Sequence, residues 1–287
     1  MNEHLSIDAD QNAKHVKAAM RRGDAAVRRG DVDRALYEYV RVLHWDPVNI
    51  EAHFRIGSIH GYKGNSALAE KAYRKVLEGD DKHAGALEGL GLILLRKKDY
   101  TEAETFLNQA VIADTKRWRA HNGLGVISDM YRDYTAAEAH YKAALDERPD
   151  SPMVLANLGY SKYAAGDWGS AQSYLEQAVT KDPKHAKGWS NLGLLHVRKG
   201  NYNKAMDAFS RIMSETQASN NVGYLCMVEG NYEQAEQYFM EAMRSSPSFN
   251  EVAFNNLEKV RALAARSYDG ASAEKTTEKA GVLLECR

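Results

Sequence analysis

Residues 156–184 read ANLGYSKYAAGDWGSAQSYLEQAVTKDPK, and the spacing of small and large residues in this stretch predicts a pair of packed helices. Gly159 is followed by Ala171 after twelve residues and by Leu175 after sixteen, and Pro183 closes the stretch. The two small residues allow two helix backbones to approach, while the large side chain fills the space beside them. Proline ends the second helix because the residue before it disfavours helical conformation.

The same spacing recurs along the chain with a period of 34 residues. The equivalent glycines are Gly23, Gly57, Gly91, Gly125, Gly159 and Gly193, and a seventh, Gly223, follows after 30 residues. Twelve residues after each glycine stand Ala35, Ala69, Ala103, Ala137, Ala171, Ala205 and Ala235. Sixteen residues after each glycine stand Tyr39, Tyr73, Leu107, Tyr141, Leu175, Phe209 and Phe239. One such helix pair is too small to bury its own apolar face, so neighbouring pairs are expected to stack.

This pattern resembles the tetratricopeptide repeat (TPR), whose period and signature residues it shares. The resemblance implies an all-α fold, a right-handed α-solenoid of about seven TPR helix pairs with a C-terminal capping helix. The sixth repeat lacks four residues, about one helical turn, and is therefore expected to have a shorter second helix. The predicted segments are an N-terminal arm over 1–15, the repeat array over 16–249, a capping helix over 250–267 and a disordered tail over 268–287. The predicted repeats are 16–49, 50–83, 84–117, 118–151, 152–185, 186–215 and 216–249.

The composition of the 287 residues argues against several classes of function. A formal net charge of −1 gives no electrostatic basis for binding nucleic acid or an anionic membrane. The two cysteines, Cys226 and Cys286, lack metal-site spacing, and no catalytic motif occurs. We therefore predict a protein that is not an enzyme, with no catalytic residues, no metal and no cofactor.

The start of the chain, MNEHLSIDADQNAKH, lacks the apolar core of a signal peptide, and no long apolar run follows it. The sequence as it stands therefore predicts a cytoplasmic location without direct membrane insertion. A periplasmic or outer-membrane-associated location is the alternative if a lipoprotein signal has been removed.

Asparagines recur at one position of the later repeats. When each repeat is numbered so that its glycine is position 8, position 6 is Asn157, Asn191, Asn221 and, in the capping helix, Asn255. In TPR proteins the first helix of each pair lines the concave groove, so stacking would arrange these amides as a ladder. An amide can both donate to and accept from the backbone of an extended peptide. Asn220, at position 5, is predicted to add a contact. The alternative is structural, because asparagine is common at this position of the TPR consensus.

Large side chains at neighbouring groove positions are predicted to select the side chains of the bound segment. A wall of this kind suits an apolar peptide or the apolar face of a helix. Close packing against the adjacent helix is the alternative interpretation. The predicted wall residues are Tyr160, Tyr163, Tyr224 and Met227.

The N-terminal end of the array has a different character. Lys17, Arg21 and Arg28 lie on one helix face, and Arg55 occupies position 6 of the second repeat. These residues predict a basic groove end suited to an acidic segment, with an ordinary solvated helix face as the alternative.

Two comparisons within the TPR class narrow the expected function. Positions 5 and 9 lack the lysine and asparagine of the carboxylate clamp found in chaperone-binding TPR proteins. Residues 118–185, with ANLGYSKYAAGDW at 156–168, are similar to the central repeats of the TPR protein of tight adherence (Tad/Flp) pilus assembly systems. The resemblance implies a bacterial, non-enzymatic adaptor in pilus or secretion-system assembly, whose partner is a secretin or pilus component. The alternative is a general cytosolic TPR scaffold or a peptide-sensing regulator. The sequence does not specify the oligomeric state.

Overall fold

The computed structural model describes residues 2–266, and within this range every regular element is an α-helix. The predicted all-α fold of the α-solenoid class is confirmed. The first eight helices are α1 Asn2–Arg28, α2 Val32–Trp45, α3 Ile50–Tyr62, α4 Ser66–Gly79, α5 Ala84–Arg96, α6 Tyr100–Ala113, α7 Trp118–Met130 and α8 Tyr134–Glu147. The following six are α9 Pro152–Ala164, α10 Trp168–Lys181, α11 Ala186–Arg198, α12 Tyr202–Ser210, α13 Glu215–Val228 and α14 Tyr232–Arg244. Residues 251–266 form a further helix, called the terminal helix below.

The chain divides into two compact units, residues 1–149 and 150–287. Unit 1 contains α1 to α8, and unit 2 contains α9 to the terminal helix. In each unit a helix packs against the next one in sequence, as α5 does against α6 and α13 against α14. The first helices of successive pairs also touch, as α3 touches α5 and α11 touches α13. The predicted stacking of helix pairs is therefore present within each unit.

The repeated residues form the contact inside each pair. All seven repeat alanines have no exposed surface. A Cβ atom added to any of the seven repeat glycines would lie within 3.0 Å of the side chain sixteen residues later. At Gly193, for example, it would lie 2.5 Å from Cζ of Phe209. The glycine is therefore required because the large side chain from the second helix, an aromatic residue or leucine, occupies the space that a Cβ atom would need.

Short turns join the two helices of each pair. One turn residue adopts a positive φ, and it is glycine in five pairs but Lys98 and Arg132 in the other two. An aspartate follows in several pairs and caps the second helix, as Asp133 does by accepting a hydrogen bond from the Ala136 amide at 2.9 Å. This bond satisfies one of the amides left unpaired at the start of a helix.

The structure gives further detail on the N-terminal segment and on the shortened sixth pair. The predicted N-terminal arm, 1–15, is helical from Asn2, because no glycine or proline interrupts the chain before Gly23. In the sixth pair, α12 has nine residues, and Ser214 and Gln217 then form a capping box that starts α13. The prediction for 268–287 falls outside the described residues.

The first helix pair contains a buried carboxylate that is surrounded by arginines. Position 7 is apolar and buried in the later repeats, as at Ile56 and Leu90, but in the first it is Arg22. Arg22 bonds the buried carboxylate of Glu38 at 2.9 Å. Two further arginines approach that carboxylate, Arg34 at 2.8 Å and Arg41 at 3.4 Å. These ion pairs compensate the buried carboxylate, which would be costly to keep away from water without a partner.

The half-buried His140 and the buried His196 predict a dependence of stability on pH. Burial lowers the pKa of His140, and the nearby His121 lowers it further. Burial also lowers the pKa of His196. In the unfolded chain both histidines bind protons near the ordinary value of about pH 6.5, whereas the folded chain binds them only at lower pH. The unfolded state therefore gains more protons as the pH falls below about 6.5, and the free energy of unfolding decreases.

We expect urea denaturation to report lower stability at about pH 5.5 than at about pH 7.5, by at most about 1.4 kcal/mol for each histidine, because pH 5.5 lies about one unit below the ordinary value. The variant His140→Gln should lose less stability over the same interval. Burial raises the pKa of Glu88, so the folded chain binds this proton at a higher pH than the unfolded chain does, and Glu88 opposes the effect of the histidines as the pH falls. An identical pH dependence in wild type and variant would rule out His140 as a source.

Candidate functional site

Of the four asparagines predicted to form an amide ladder, Asn157 and Asn191 are buried, whereas Asn221 and Asn255 are accessible to solvent. Asn157 is 5% exposed and its Oδ1 accepts a hydrogen bond from Lys187 Nζ at 2.8 Å. Asn191 is 9% exposed and its Nδ2 donates to the Ala156 carbonyl at 3.3 Å. These two amides bond to the neighbouring repeat, which corrects the prediction that they face an open groove. Asn255 is exposed on the terminal helix.

Asn220 and Asn221 lie at an open cleft between α13 and the start of the terminal helix. The cleft has a volume of about 280 Å³. Asn220 Oδ1 accepts from Asn256 Nδ2 at 3.1 Å, and Asn221 Nδ2 contacts Met213 Sδ at 3.2 Å. Both amides keep further donors or acceptors for a ligand. The lining residues are Thr216, Gln217, Asn220, Asn221, Asn250 and Val252.

Two phenylalanines belong to the segment that borders this cleft. Phe249 precedes the cleft residue Asn250, and Phe254 follows in the first turn of the terminal helix. Their ring centroids lie 5.5 Å apart, and they are 71% and 38% exposed. Sequence reasoning missed this pair, because within the predicted capping helix it assigned only Asn255 to the groove. The signal was present, since Phe254 occupies position 5, one of the groove positions.

Two tyrosines of the predicted wall are exposed, whereas Met227 is buried. Tyr160 is 39% exposed and Tyr224 48% exposed, and both occupy position 9 of first helices in unit 2. The Tyr160 and Tyr163 rings lie 6.1 Å apart, and burial raises the pKa of Tyr163. Met227 is only 6% exposed and packs in the core of unit 2. The packing alternative therefore holds for Met227.

The predicted basic end carries charges of both signs. Lys17, Arg21 and Arg28 are exposed on α1. Arg55 bonds Glu51 Oε1 at 2.6 Å and lies 4.0 Å from Asp24 Oδ1. The Tyr39 hydroxyl donates to the same Asp24 oxygen at 2.7 Å. Carboxylates therefore offset the charge of Arg55, one of the four residues of the predicted basic groove end. These residues all belong to unit 1.

Trp189, His53 and His121 make the same structural contact at position 4 of their repeats. Trp189 donates to the carbonyl of Pro183 at 2.9 Å, and His53, at the same repeat position, bonds the Pro47 carbonyl at 2.9 Å. His121 does the same with Thr115 at 3.2 Å. Imidazole therefore takes the place of indole here. Within residues 2–266 no group of three potential ligands could hold a metal.

Profiles of known protein families match the residues that form the helix pairs. Profiles described as "Tetratricopeptide repeat" match residues 54–117, 113–152, 157–216 and 216–249. The chain is a TPR protein. No curated protein sequence matches it significantly. Among residues 2–266, no helix of this TPR protein combines the length and apolarity needed to cross a bilayer.

Solved structures share the fold at low sequence identity. PilF of Pseudomonas aeruginosa is 20% identical, with a TM-score of 0.56 over 88% of this chain and 99% of PilF. PilW, described as a widely conserved type IV pilus biogenesis factor, is 19% identical, with a TM-score of 0.59 over 77% and 97%. A TPR protein of Parabacteroides merdae is 16% identical, with a TM-score of 0.59 over 86% and 99%. At these identities the likeness establishes the fold alone.

Proposed function

We propose that this TPR protein is a non-enzymatic scaffold whose unit 2 binds an extended peptide segment of a partner protein. The observation that carries the proposal is the cleft at α13, which is lined by Asn220, Asn221 and Asn250. Phe249, next to Asn250 in the chain, is exposed and its ring lies 5.5 Å from that of the partly exposed Phe254. The amides suit the peptide backbone, and the aromatic pair suits an apolar side chain. This pairing of polar and aromatic groups is typical of a peptide site rather than of a catalytic one.

The expected strength of binding follows from these contacts. Each hydrogen bond contributes about 0.5–1.5 kcal/mol net. Two to four such bonds, together with one buried apolar anchor worth about 1.5–3 kcal/mol, correspond to affinities in roughly the micromolar to millimolar range. The exposed Tyr160 and Tyr224 are proposed to extend the contact along the first helices of unit 2.

We expect the double variant Asn220→Ala/Asn221→Ala to bind its peptide at least about tenfold more weakly, since losing about 1.4 kcal/mol has that effect. Helix content should be kept or raised, because alanine is the better helix former. A peptide array of candidate partners, followed by calorimetry on each bound peptide, measures the effect. The matched control Asn203→Ala/Gln237→Ala removes two exposed amides from second helices and should bind like wild type. Equal loss in both variants would contradict a site at this cleft.

The finer proposal is that the partner is a secretin or a pilus component, and that the scaffold acts in assembly of a Tad/Flp-type pilus or secretion system. It is supported by the sequence similarity of residues 118–185 to the TPR protein of those systems. PilW is described as a type IV pilus biogenesis factor, but at 19% identity it shares only the fold with this chain.

An affinity purification from the source cells tests the finer proposal. Secretin or pilus components should be captured by wild type and not by Asn220→Ala/Asn221→Ala. Recovery of the native protein with outer membranes on fractionation would agree with the pilus role. A purely cytosolic protein that captures other partners would instead favour the alternative, a general scaffold or peptide-sensing regulator.

A further inference from the structure

An apolar groove, separate from the cleft at α13, lies in unit 1. It is on the side formed by the second helices of the first two pairs. It runs between α2 and α4 over a floor from α3 and has a volume of about 550 Å³. Val40 and Leu68, one on each wall, are both 52% exposed, and Val48 at one end is 81% exposed. Ile56 and Ala72 form part of the floor. The volume falls within the usual range for binding pockets, about 300–1,000 Å³.

The groove exists because one side chain is small. Position 23 carries Phe106, His140, Tyr174 and Tyr238 in the third, fourth, fifth and seventh repeats, but it is Ala72 in the second and Ala208 in the shortened sixth. The Phe106 ring reaches the preceding second helix, where it lies 6.0 Å from the Arg74 guanidinium. Arg74 and Val40 occupy the same repeat position, 25, so a ring at position 72 would extend towards Val40. With alanine there, the corresponding space between α2 and α4 stays open.

Positive charge accompanies the apolar surface. Lys71 and Lys75 lie on the α4 wall. Lys75 pairs with Glu78 at 2.6 Å, so the wall keeps a net charge of +1 from these three residues. An apolar ligand with carboxylates along one edge complements this arrangement, whereas a ligand with a basic edge meets like charge.

We propose that the groove between α2 and α4 binds an amphipathic helix of a partner protein, with its apolar residues on Val40, Ile56 and Leu68 and its acidic edge beside Lys71 and Lys75. The docked helix supplies apolar side chains of the kind that Phe106 and Tyr174 supply at position 23 of later pairs. This site is independent of the peptide cleft in unit 2 and serves a second partner segment.

Fluorescence anisotropy with a labelled designed peptide tests the proposal. The probe is an amphipathic helix with leucines at i, i+3, i+4 and i+7 and glutamates on its flanks. Ala72→Phe should weaken its binding by at least about tenfold, because the ring fills the groove as Phe106 does in the next pair. Ala67→Phe, at an exposed alanine of α4 outside the lining, should bind like wild type. Circular dichroism checks that both variants fold.

Charge reversal gives a second measurement that does not change the shape of the floor. Lys71→Glu/Lys75→Glu should bind the glutamate-flanked probe at least about tenfold more weakly and a lysine-flanked probe more tightly. The control Lys116→Glu, at an exposed lysine elsewhere in unit 1, should keep the wild-type preference. Binding unaffected by both Ala72→Phe and the charge reversal would overturn the proposal. Self-association of wild type that Ala72→Phe abolishes would overturn it too, because a second copy would then be the occupant.

Discussion

Replacing Tyr141 with alanine is expected to lower the free energy of unfolding by about 3–5 kcal/mol, the range found when a buried aromatic side chain is removed. Tyr141 is 1% exposed, and its ring fills the space beside Gly125 in the α7–α8 pair. Its hydroxyl donates to Asp129 Oδ2 at 2.7 Å. The substitution therefore leaves a cavity and removes a hydrogen bond to a carboxylate.

Chemical denaturation of two further variants separates these contributions. Tyr141→Phe keeps the ring and should cost about 1–3 kcal/mol, the loss of a bond to a charged acceptor. Tyr62→Ala removes a tyrosine of the same unit that is 86% exposed and should change stability by less than about 0.5 kcal/mol. A loss for Tyr141→Ala no larger than that for Tyr62→Ala would contradict the packing described for this pair.

Replacing Gly193 with alanine is expected to lower the free energy of unfolding by about 1–3 kcal/mol, although alanine is normally the better helix former by about 1 kcal/mol. The new Cβ would lie 2.5–2.7 Å from three atoms of the Phe209 ring. The ring has to move, and with it the packing of α11 on α12.

A matched glycine and a double-mutant cycle test this explanation. Gly169 lies in α10, and an added Cβ would meet nothing closer than 3.9 Å, so Gly169→Ala should be neutral or stabilising by up to about 1 kcal/mol. In a Phe209→Ala background, Gly193→Ala should no longer destabilise, because the ring is absent. An equal cost with and without the ring would show that the clash is not the cause.

The repeat contact could be predicted because it depends on spacing within one helix pair. Gly125 and Tyr141 are sixteen residues apart, a separation that the two helices and their short turn bring together. Local chemistry accounts for the turns in the same way, since Asp133 caps the helix that it precedes.

The candidate site could be predicted only in part, because it depends on neighbouring pairs. Asn157 and Asn221 share a repeat position, yet Asn157 is bonded by Lys187 from the following repeat and Asn221 borders an open cleft. Met227 follows Tyr224 by three residues on α13, but it packs in the core. A repeat position specifies a helix face, whereas exposure depends on which side chains the adjacent pair presents.

The sequence by itself determined the TPR family, the all-α fold and the contact between each glycine and its partner sixteen residues later, because these follow from a local pattern repeated seven times. Only the tertiary structure decided which amides are accessible, where Phe249 and Phe254 meet, and that Ala72 leaves a groove open between α2 and α4. The physical reason is that burial and open space are properties of packed helices from different repeats, and each depends on the sizes and bonds of side chains about thirty residues apart in the chain, as with Asn157 and Lys187.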